Sequence, residues 1–319
     1  MTKKIFSFIL GGCWFSSLAA GAPGFTSGQD SPPRPLAVAV GTLLRAQAQP
    51  KDPPPEPRLA ELLKKAARYS ERLSRSALDF VCTETITERI DPREEPKIGD
   101  PFAKVRDARQ GLHTQSVQSK IASIQTNRFV YDYQLIKKSG ILQERQTLLE
   151  ENGRKTQEKD APLKTSQLEH QYVVLGPVGL LGADAQQNND YSLVENAKIQ
   201  GQPAVVIEVK PKAPAIARYL YGKVWMKDSD GSVLRIEWNE KSLGNYEPVE
   251  EVARRLNAQP KIAFASEYGV EKNGLRFPSL YSVREAYVDT RGKAFVRSET
   301  EVVYKDYKFF TVETGVELR

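Results

Sequence analysis

Alternation of side chains with period two, interrupted by short polar turns, runs through most of the chain after Phe80 and restricts the folds available to it. The clearest such run is at residues 129–136, where Phe129, Tyr131, Tyr133 and Leu135 share one face of a predicted strand. Turn sequences separate such runs, among them Lys138-Ser139-Gly140, Glu151-Asn152-Gly153 and Gln200-Gly201-Gln202. Period two is typical of β-strands, and connections this short join antiparallel neighbours.

Further strands follow the same pattern towards the C-terminus. Residues 191–199 are predicted to pair with 204–210, and 223–227 with 233–239 across the turn Asp228-Ser229-Asp230-Gly231. Strands are also predicted over 261–271 and 275–289, and from there to the end of the chain. We expect about ten strands, and a sheet of about that size must curl or split.

Two segments have helical spacing instead. The first, residues 58–79, has an apolar stripe of Leu59, Leu62, Leu63, Ala66, Leu73 and Ala77. The second, residues 247–257, has its glutamates early and its arginines late, as the helix dipole favours. Strands and helices do not alternate regularly, which argues against a doubly wound parallel sheet. The predicted fold class is α+β: one large curved antiparallel sheet, an unclosed β-barrel or half-barrel, with helices packed on or plugging the concave face.

The first 22 residues have the pattern of a secretory signal. Lys3 and Lys4 precede a short apolar stretch that ends in small residues, which predicts a signal peptide over 1–22, cleaved between Ala20 and Ala22. The protein is therefore expected to be periplasmic or otherwise exported, with no transmembrane helix in the mature chain. Two alternatives stay open. Leu10-Gly11-Gly12-Cys13 is similar to a lipobox, which would place a lipid anchor on Cys13, and Ala46-Gln47-Ala48 is a later cleavage site.

A change in composition follows the signal. Eight of the 20 prolines lie between Pro32 and Pro57, a density that prevents both helices and sheet ladders. We predict a Pro-rich, disordered tether over 23–57 and a half-barrel domain with an N-terminal helix over 58–319.

The sequence offers little chemistry. No nucleophile elbow, phosphate loop or H-E-x-x-H motif is present. His113 and His170 are far apart and are interpreted as ordinary surface or loop residues, and Cys82 as a buried thiol in an apolar run. We therefore predict no catalytic residues, no metal site and no cofactor. The net charge of +6 includes Lys3 and Lys4, and this mild excess, together with export, argues against nucleic acid as a partner.

Three features stand out from this background. Residues 174–181 mix apolar side chains with glycines and a proline, which indicates either a loop that plugs the core or a mobile apolar lid over a cavity. Aromatic residues are dense in the strands and should mostly be core, although some must line the concave side of a half-barrel. The aromatic tail at 304–310 is predicted to be the final strand, with docking as the alternative role.

The order of the C-terminal strands resembles a known group of proteins. The relevant segments are Gly201-Gln202-Pro203-Ala204, Gly222-Lys223-Val224-Trp225-Met226-Lys227, Val233-Leu234-Arg235-Ile236-Glu237 and Leu275-Arg276-Phe277-Pro278. They resemble the LolA/LolB-like superfamily of periplasmic outer-membrane lipoprotein-sorting proteins, over residues 191–319. The resemblance implies an unclosed β-barrel whose mouth is plugged by helices and whose apolar cavity holds acyl chains.

The leading functional hypothesis is therefore an exported, non-enzymatic protein that binds a lipid or acylated lipoprotein. The residues predicted to form the acyl cavity and its lid are Phe129, Tyr131, Tyr133, Leu135, Val178, Leu180, Leu181, Trp225 and Trp238. The alternatives are an envelope protein-interaction or lipid-sensing module without carrier activity, and a hydrolase with polar residues converging in a pocket. The sequence alone does not say which residues face inward, because a shift of one residue in strand register exchanges the two faces.

Overall fold

The computed structural model describes residues 6–9, 57–76, 80–91, 123–138, 141–166, 168–199, 201–213, 220–242 and 246–310. The predicted signal cleavage sites, Cys13, His113 and the tether up to residue 56 lie outside these ranges.

The helices and strands are bounded as follows. The helices are α1 (Pro57–Ser76), α2 (Gly176–Leu181), α3 (Ala183–Asn188) and α4 (Glu247–Leu256), with 3-10 turns at Val173–Leu175 and Glu240–Ser242. The strands are β1 (Phe6–Ile9), β2 (Phe80–Ile90), β3 (Gln125–Lys138), β4 (Ile141–Glu151), β5 (Arg154–Glu158), β6 (Leu168–Gln171), β7 (Asn189–Ile199), β8 (Gln202–Pro211), β9 (Gly222–Met226), β10 (Val233–Trp238), β11 (Ala258–Glu267), β12 (Val270–Lys272), β13 (Leu275–Phe277), β14 (Leu280–Asp289) and β15 (Ala294–Phe309).

Eleven of these strands form one sheet, in the order β5-β4-β3-β2-β15-β14-β11-β10-β9-β8-β7. Every neighbouring pair in it is antiparallel. Strands β5 and β7 are its two edges, so the sheet is open. Register shifts interrupt several ladders, including β3–β4 and β14–β15. Such bulges bend and twist the strands. The predicted α+β class with a large unclosed antiparallel sheet is confirmed.

The predicted hairpins are confirmed as pairs. Strands β3 and β4, β7 and β8, and β9 and β10 are antiparallel neighbours in the sheet. Between β4 and β5, Asn152 and Gly153 have φ angles of 49° and 82°, the left-handed geometry of a tight hairpin turn. Residues 139–140 and 200, which belong to the other predicted turns, lie outside the described ranges.

Two predicted strands are each divided. The segment predicted over 261–271 ends at Glu267 and resumes as β12, and the segment predicted over 275–289 is split into β13 and β14. Strands β12 and β13 leave the large sheet and pair with each other. The break before β14 contains Pro278, which has no N–H for a sheet ladder. Strand β1, inside the predicted signal segment, pairs in parallel with β6.

The concave face carries one hydrophobic core, and α1 covers part of it. Strand β3 presents the predicted face Phe129, Tyr131, Tyr133 and Leu135, all buried. Helix α1 buries most of its predicted stripe, and Tyr69 is buried with it. Burial raises the pKa of Tyr69 to about 12, and its hydroxyl accepts a hydrogen bond from the backbone N–H of Arg276 at 3.1 Å. Ala77 lies outside the described residues.

The turn between β9 and β10 holds α1 in place. Lys65 donates to the backbone carbonyl of Asp228 at 2.9 Å. Gly231, with φ of 74°, lies so close to the helix that a Cβ there would come within 2.7 Å of the Ala66 nitrogen. Only glycine allows this approach, so the turn predicted from residues 228–231 also positions the covering helix.

A buried ion pair stabilises the junction of β14 and β15. Arg297 Nη1 donates to both carboxylate oxygens of Glu285, at 3.0 and 2.9 Å, and Ser298 donates to one of them at 2.8 Å. Glu285 is fully buried and Arg297 is 6% exposed. Removing one partner of such a pair leaves an uncompensated charge in the interior.

The replacement Arg297→Met is therefore expected to lower the free energy of unfolding by about 3 kcal/mol, because Glu285 loses its buried cation. Urea unfolding followed by circular dichroism measures this. Arg284→Met, at an exposed position of β14, is the matched control and should change stability by less than about 0.5 kcal/mol. Equal losses in the two variants would show that the buried pair does not stabilise the junction.

Candidate functional site

The concave face is closed by a short apolar segment, residues 173–181, which we call the plug. It consists of the 3-10 turn Val173–Leu175 followed by α2, and its side chains Val173, Val174, Leu180 and Leu181 are buried. The sequence interpretation as a loop is wrong, since the segment is helical. Its burial agrees with the interpretation as a plug of the core.

Side chains from the surrounding elements bind the plug's carbonyl oxygens. Tyr268 donates to Val173 O at 3.0 Å, Tyr191 to Leu180 O at 2.7 Å, and Gln186 to Leu181 O at 2.8 Å. Ser70 of α1 approaches Pro177 O at 3.3 Å. A helix of six residues leaves its last carbonyls without intrahelical partners, and these side chains satisfy several of them.

Most of the residues predicted for the cavity and lid face the core. The four aromatic and leucine residues of β3 are buried there, as are Leu180 and Leu181, and Val178 is partly buried. Trp238 is 5% exposed and donates from Nε1 to Ser266 Oγ at 2.9 Å. Its ring lies next to the plug, because a Cβ on Gly176 would be 3.3 Å from Trp238 Cζ2.

Trp225 lies on the other face of the sheet. In β9, Val224 and Met226 are buried, so the alternation directs Trp225 outward. Arg235 lies over its ring, 5.9 Å from the centroid. The structure therefore does not bring Trp225 to the concave face, and the assignment of this residue to the cavity is corrected by the strand's register.

A polar cluster that the sequence analysis missed lies where β6 leads into the plug. We define the acidic cluster as Glu84, Tyr133, Glu144, Gln146 and His170. His170 is 4% exposed and its Nε2 lies 2.8 Å from Glu84 Oε1, so the interpretation of His170 as a surface or loop residue is wrong. Gln146 donates to the other oxygen of Glu84 at 2.7 Å.

Glu144 completes the cluster. It accepts hydrogen bonds from the Tyr133 hydroxyl and from the backbone N–H of Tyr172, both at 2.5 Å. Burial raises the pKa of this carboxyl to about 7, although the side chain remains partly accessible to solvent. His170 Nδ1 is buried without a hydrogen-bond partner, and the ring lies 5.3 Å from that of Tyr281.

A signal for part of this cluster was present in the sequence. Phe80, Ile86 and Ile90 set the inward phase of β2, and counting in steps of two from Phe80 places Glu84 and Glu88 on the same face. Both glutamates are fully buried, and Glu88 accepts hydrogen bonds from the N–H and hydroxyl of Ser166. His170 and Glu144 come from elements whose packing no local pattern indicates.

Other surfaces are less enclosed. One hollow of about 470 Å³ lies beside α4 between Tyr246, Arg254 and Asp289, and another of about 540 Å³ lies between β12 and the end of β15. The second includes Tyr307 and Phe309 of the predicted final strand, which the structure shows as β15. Within the described ranges, no three His, Cys, Asp or Glu side chains form a metal-binding group, and no helix is long and apolar enough to cross a membrane.

Comparisons with known proteins return solved structures only, since no protein-family model and no curated protein matches the chain. A LolA superfamily protein from Nitrosomonas europaea is 12% identical over 78% of this chain and 94% of its own, with a TM-score of 0.30. A domain from Vibrio parahaemolyticus described as an outer membrane lipoprotein-sorting protein is 13% identical over 80% of this chain and 93% of its own, with a TM-score of 0.32. A DUF1329 family protein from Desulfovibrio piger is 10% identical over 83% of this chain and 95% of its own, with a TM-score of 0.35.

The superfamily that the sequence resembles is thus found again among solved structures. At TM-scores this low the similarity has no weight for function. The chain's own strand order establishes the open antiparallel sheet, and its bulged ladders and the helices that cover one face agree with a half-barrel.

The two glycines of α2 allow a matched test of how tightly the plug is seated. A Cβ on Gly176 would lie 2.4 Å from the buried Tyr268 hydroxyl, whereas a Cβ on Gly179 would meet nothing within 4 Å. We expect Gly176→Ala to destabilise the protein by about 1–3 kcal/mol through overpacking. Gly179→Ala should be neutral or stabilise by up to about 1 kcal/mol through helix propensity.

Urea unfolding gives the stabilities, and hydrogen exchange at the plug amides shows whether the loss is local. Faster exchange at residues 173–181 in Gly176→Ala alone is the expected result. Equal behaviour of the two alanine variants would mean that the plug is not packed against Tyr268 as described.

Proposed function

We propose that this protein is an exported, non-enzymatic binding protein of the cell envelope that holds an acyl chain, from a lipid or a lipoprotein, against its concave face. The plug occupies that place in the structure and would be displaced by the chain. The walls would be the β3 residues Phe129, Tyr131, Tyr133 and Leu135 together with Trp238, and Val178, Leu180 and Leu181 would belong to the moving segment.

The observation that carries this proposal is how the apolar concave face is covered. A second sheet would cover such a face permanently, whereas here α1 covers one part of it and a six-residue helix covers another. Single side-chain hydrogen bonds hold the plug to its surroundings, and they come from Tyr268, Tyr191, Gln186 and Ser70. A segment of this kind can leave while the sheet stays intact.

The energetics of exchange support the same proposal. Burial of a Val or Leu side chain contributes about 1.5–3 kcal/mol, so the four buried side chains of the plug contribute roughly 6–12 kcal/mol. An acyl chain of about fourteen methylenes contributes roughly 11 kcal/mol at about 0.8 kcal/mol per buried group. The two are of comparable size, so an acyl chain can compete with the plug for the same face.

The polar groups near the plug support binding rather than catalysis. A nucleophile activated by His170 would need a hydroxyl or thiol on one of its ring nitrogens. Nε2 of His170 lies against Glu84, and Nδ1 has no partner. The acidic cluster is therefore better suited to hold the chain segment beside it than to activate a reacting group.

A second candidate function is recognition of an extended peptide at the edge strand β7. The other edge, β5, is fully exposed and carries Arg154, Lys155 and Glu158, the charged side chains that discourage pairing with another strand. Strand β7 also carries exposed charges, at Asp190, Glu195 and Lys198, but it is eleven residues long against five and exposes Val194, which is 44% accessible, at its bulge. An edge of this kind can add a partner strand.

Native mass spectrometry with lipid extraction, followed by titration with palmitate, tests the first candidate. We expect bound acyl species, and we expect Leu181→Ala to bind palmitate at least tenfold more tightly. The truncation weakens the closed state by about 2–5 kcal/mol, and the ligand then competes against a weaker plug.

Val194→Ala, at an exposed position of the edge strand, is the control and should bind like the wild type. A lipid-free mass combined with no palmitate binding in either wild type or Leu181→Ala would contradict acyl binding. It would direct the search to peptide partners of β7.

A further inference from the structure

We propose that Glu84 and Glu144 latch the segment that leads into the plug, and that this latch loosens as the pH rises from acidic to neutral and above. The proposal rests on the proposed function in one respect, which is that the plug is the segment that moves. It concerns the protein without ligand, so it can be tested separately.

The latched segment reaches the sheet through side chains. Strand β6 pairs with β1 and is not a member of the eleven-stranded sheet. Its hydrogen bonds to that sheet run from His170 to Glu84 of β2, from the Tyr172 N–H to Glu144 of β4, and from the Tyr172 hydroxyl to Leu142 O of β4 at 3.4 Å. Tyr172 is followed directly by the first residue of the plug. Release of these contacts therefore frees the chain at the point where the plug begins.

The backbone at this point is itself held in an unfavourable conformation. Tyr172 has φ of 52° and ψ of 38°, in the left-handed region that side chains other than glycine and asparagine rarely adopt. Such a conformation persists where surrounding contacts enforce it. The hydrogen bond from the Tyr172 N–H to Glu144 is one of those contacts, so its loss allows the residue to relax and the plug to move.

Titratable groups face Glu144 from each element that packs against it. Glu84 of β2 and Tyr133 of β3 face it from the sheet, and His170 and Tyr172 face it from the β6 segment. Tyr281 of β14 packs on the His170 ring, and Cys82 and Tyr304 lie beside Tyr133 and Glu84. Ionisation of Glu144 therefore places a negative charge among these groups, at a site whose desolvation disfavours the charged carboxylate.

The direction of the pH effect follows from the protonation of Glu144. Burial raises the pKa of this carboxyl from 4.5 to about 7 in the closed protein. The closed state then binds a proton that the open, solvated state releases. Stabilisation of the closed state is complete below about pH 4.5 and is lost as the pH rises through about 7. The opening equilibrium increases over this window and levels off above it.

Hydrogen exchange at the plug amides of the full chain, corrected for intrinsic exchange rates, measures this opening between pH 5 and pH 8. We expect the opening constant of the wild type to rise at least tenfold over that range. Glu144→Gln keeps an oxygen that can accept from Tyr133 and Tyr172 but cannot ionise, so its opening constant should stay flat. Glu150→Gln, which removes another carboxylate of β4 that pairs with Arg128, should retain the pH dependence.

Tyr133→Phe provides a second test that does not remove the carboxyl. The Tyr133 hydroxyl donates to Glu144 and lowers its pKa, so its removal should move the transition to higher pH. A wild-type opening constant that does not change with pH, or a Glu144→Gln variant as pH-dependent as the wild type, would overturn the latch. Failure of palmitate binding with an intact pH transition would instead contradict acyl binding and leave the latch in place.

Discussion

An eleven-stranded antiparallel sheet that stays open at both edges determines how the rest of the chain packs. Eleven antiparallel strands that do not close leave a concave apolar face, and that face must be covered to be stable. Helix α1 covers part of it and is fixed by the tight approach of Gly231 and the bond from Lys65. The plug covers another part through a much shorter helix whose carbonyls depend on neighbouring side chains. The functional proposals follow from this difference between a long, fixed cover and a short one.

The sequence predicted the sheet well, because hairpin turns and period-two runs are local signals. It placed Phe129, Tyr131, Tyr133 and Leu135 together on one face of β3 for the same reason, but the alternation alone did not decide which face was inward. It did not predict where the strands broke at Pro278, although the missing N–H of proline was a sufficient signal. The helix in the plug was also missed, because glycines and a proline in so short a segment are equally typical of a loop.

The site was only partly predictable because it depends on register and on distant packing. Trp225 was assigned to the wrong face of the sheet. Its neighbours Val224 and Met226 point inward in β9, so Trp225, one residue away from each, points outward. Glu84 could have been placed inward from the phase of Phe80 and Ile86, but glutamate is seldom fully buried, and the sequence analysis assigned it no face. His170 meets Glu84 across 86 positions of sequence, and no pattern within either strand indicates that contact.

A buried acidic cluster is a costly way to hold a core together, since apolar side chains of similar volume would often stabilise it as well or better. Its position suggests why polar groups occupy this place. The plug and an acyl chain contribute comparable burial energies, so the balance between them is decided by small terms. The protonation of Glu144 is one such term, because each unit of pKa shift corresponds to about 1.4 kcal/mol. Apolar residues at the same place would strengthen the closed state at every pH and would leave the plug no means of responding to its surroundings.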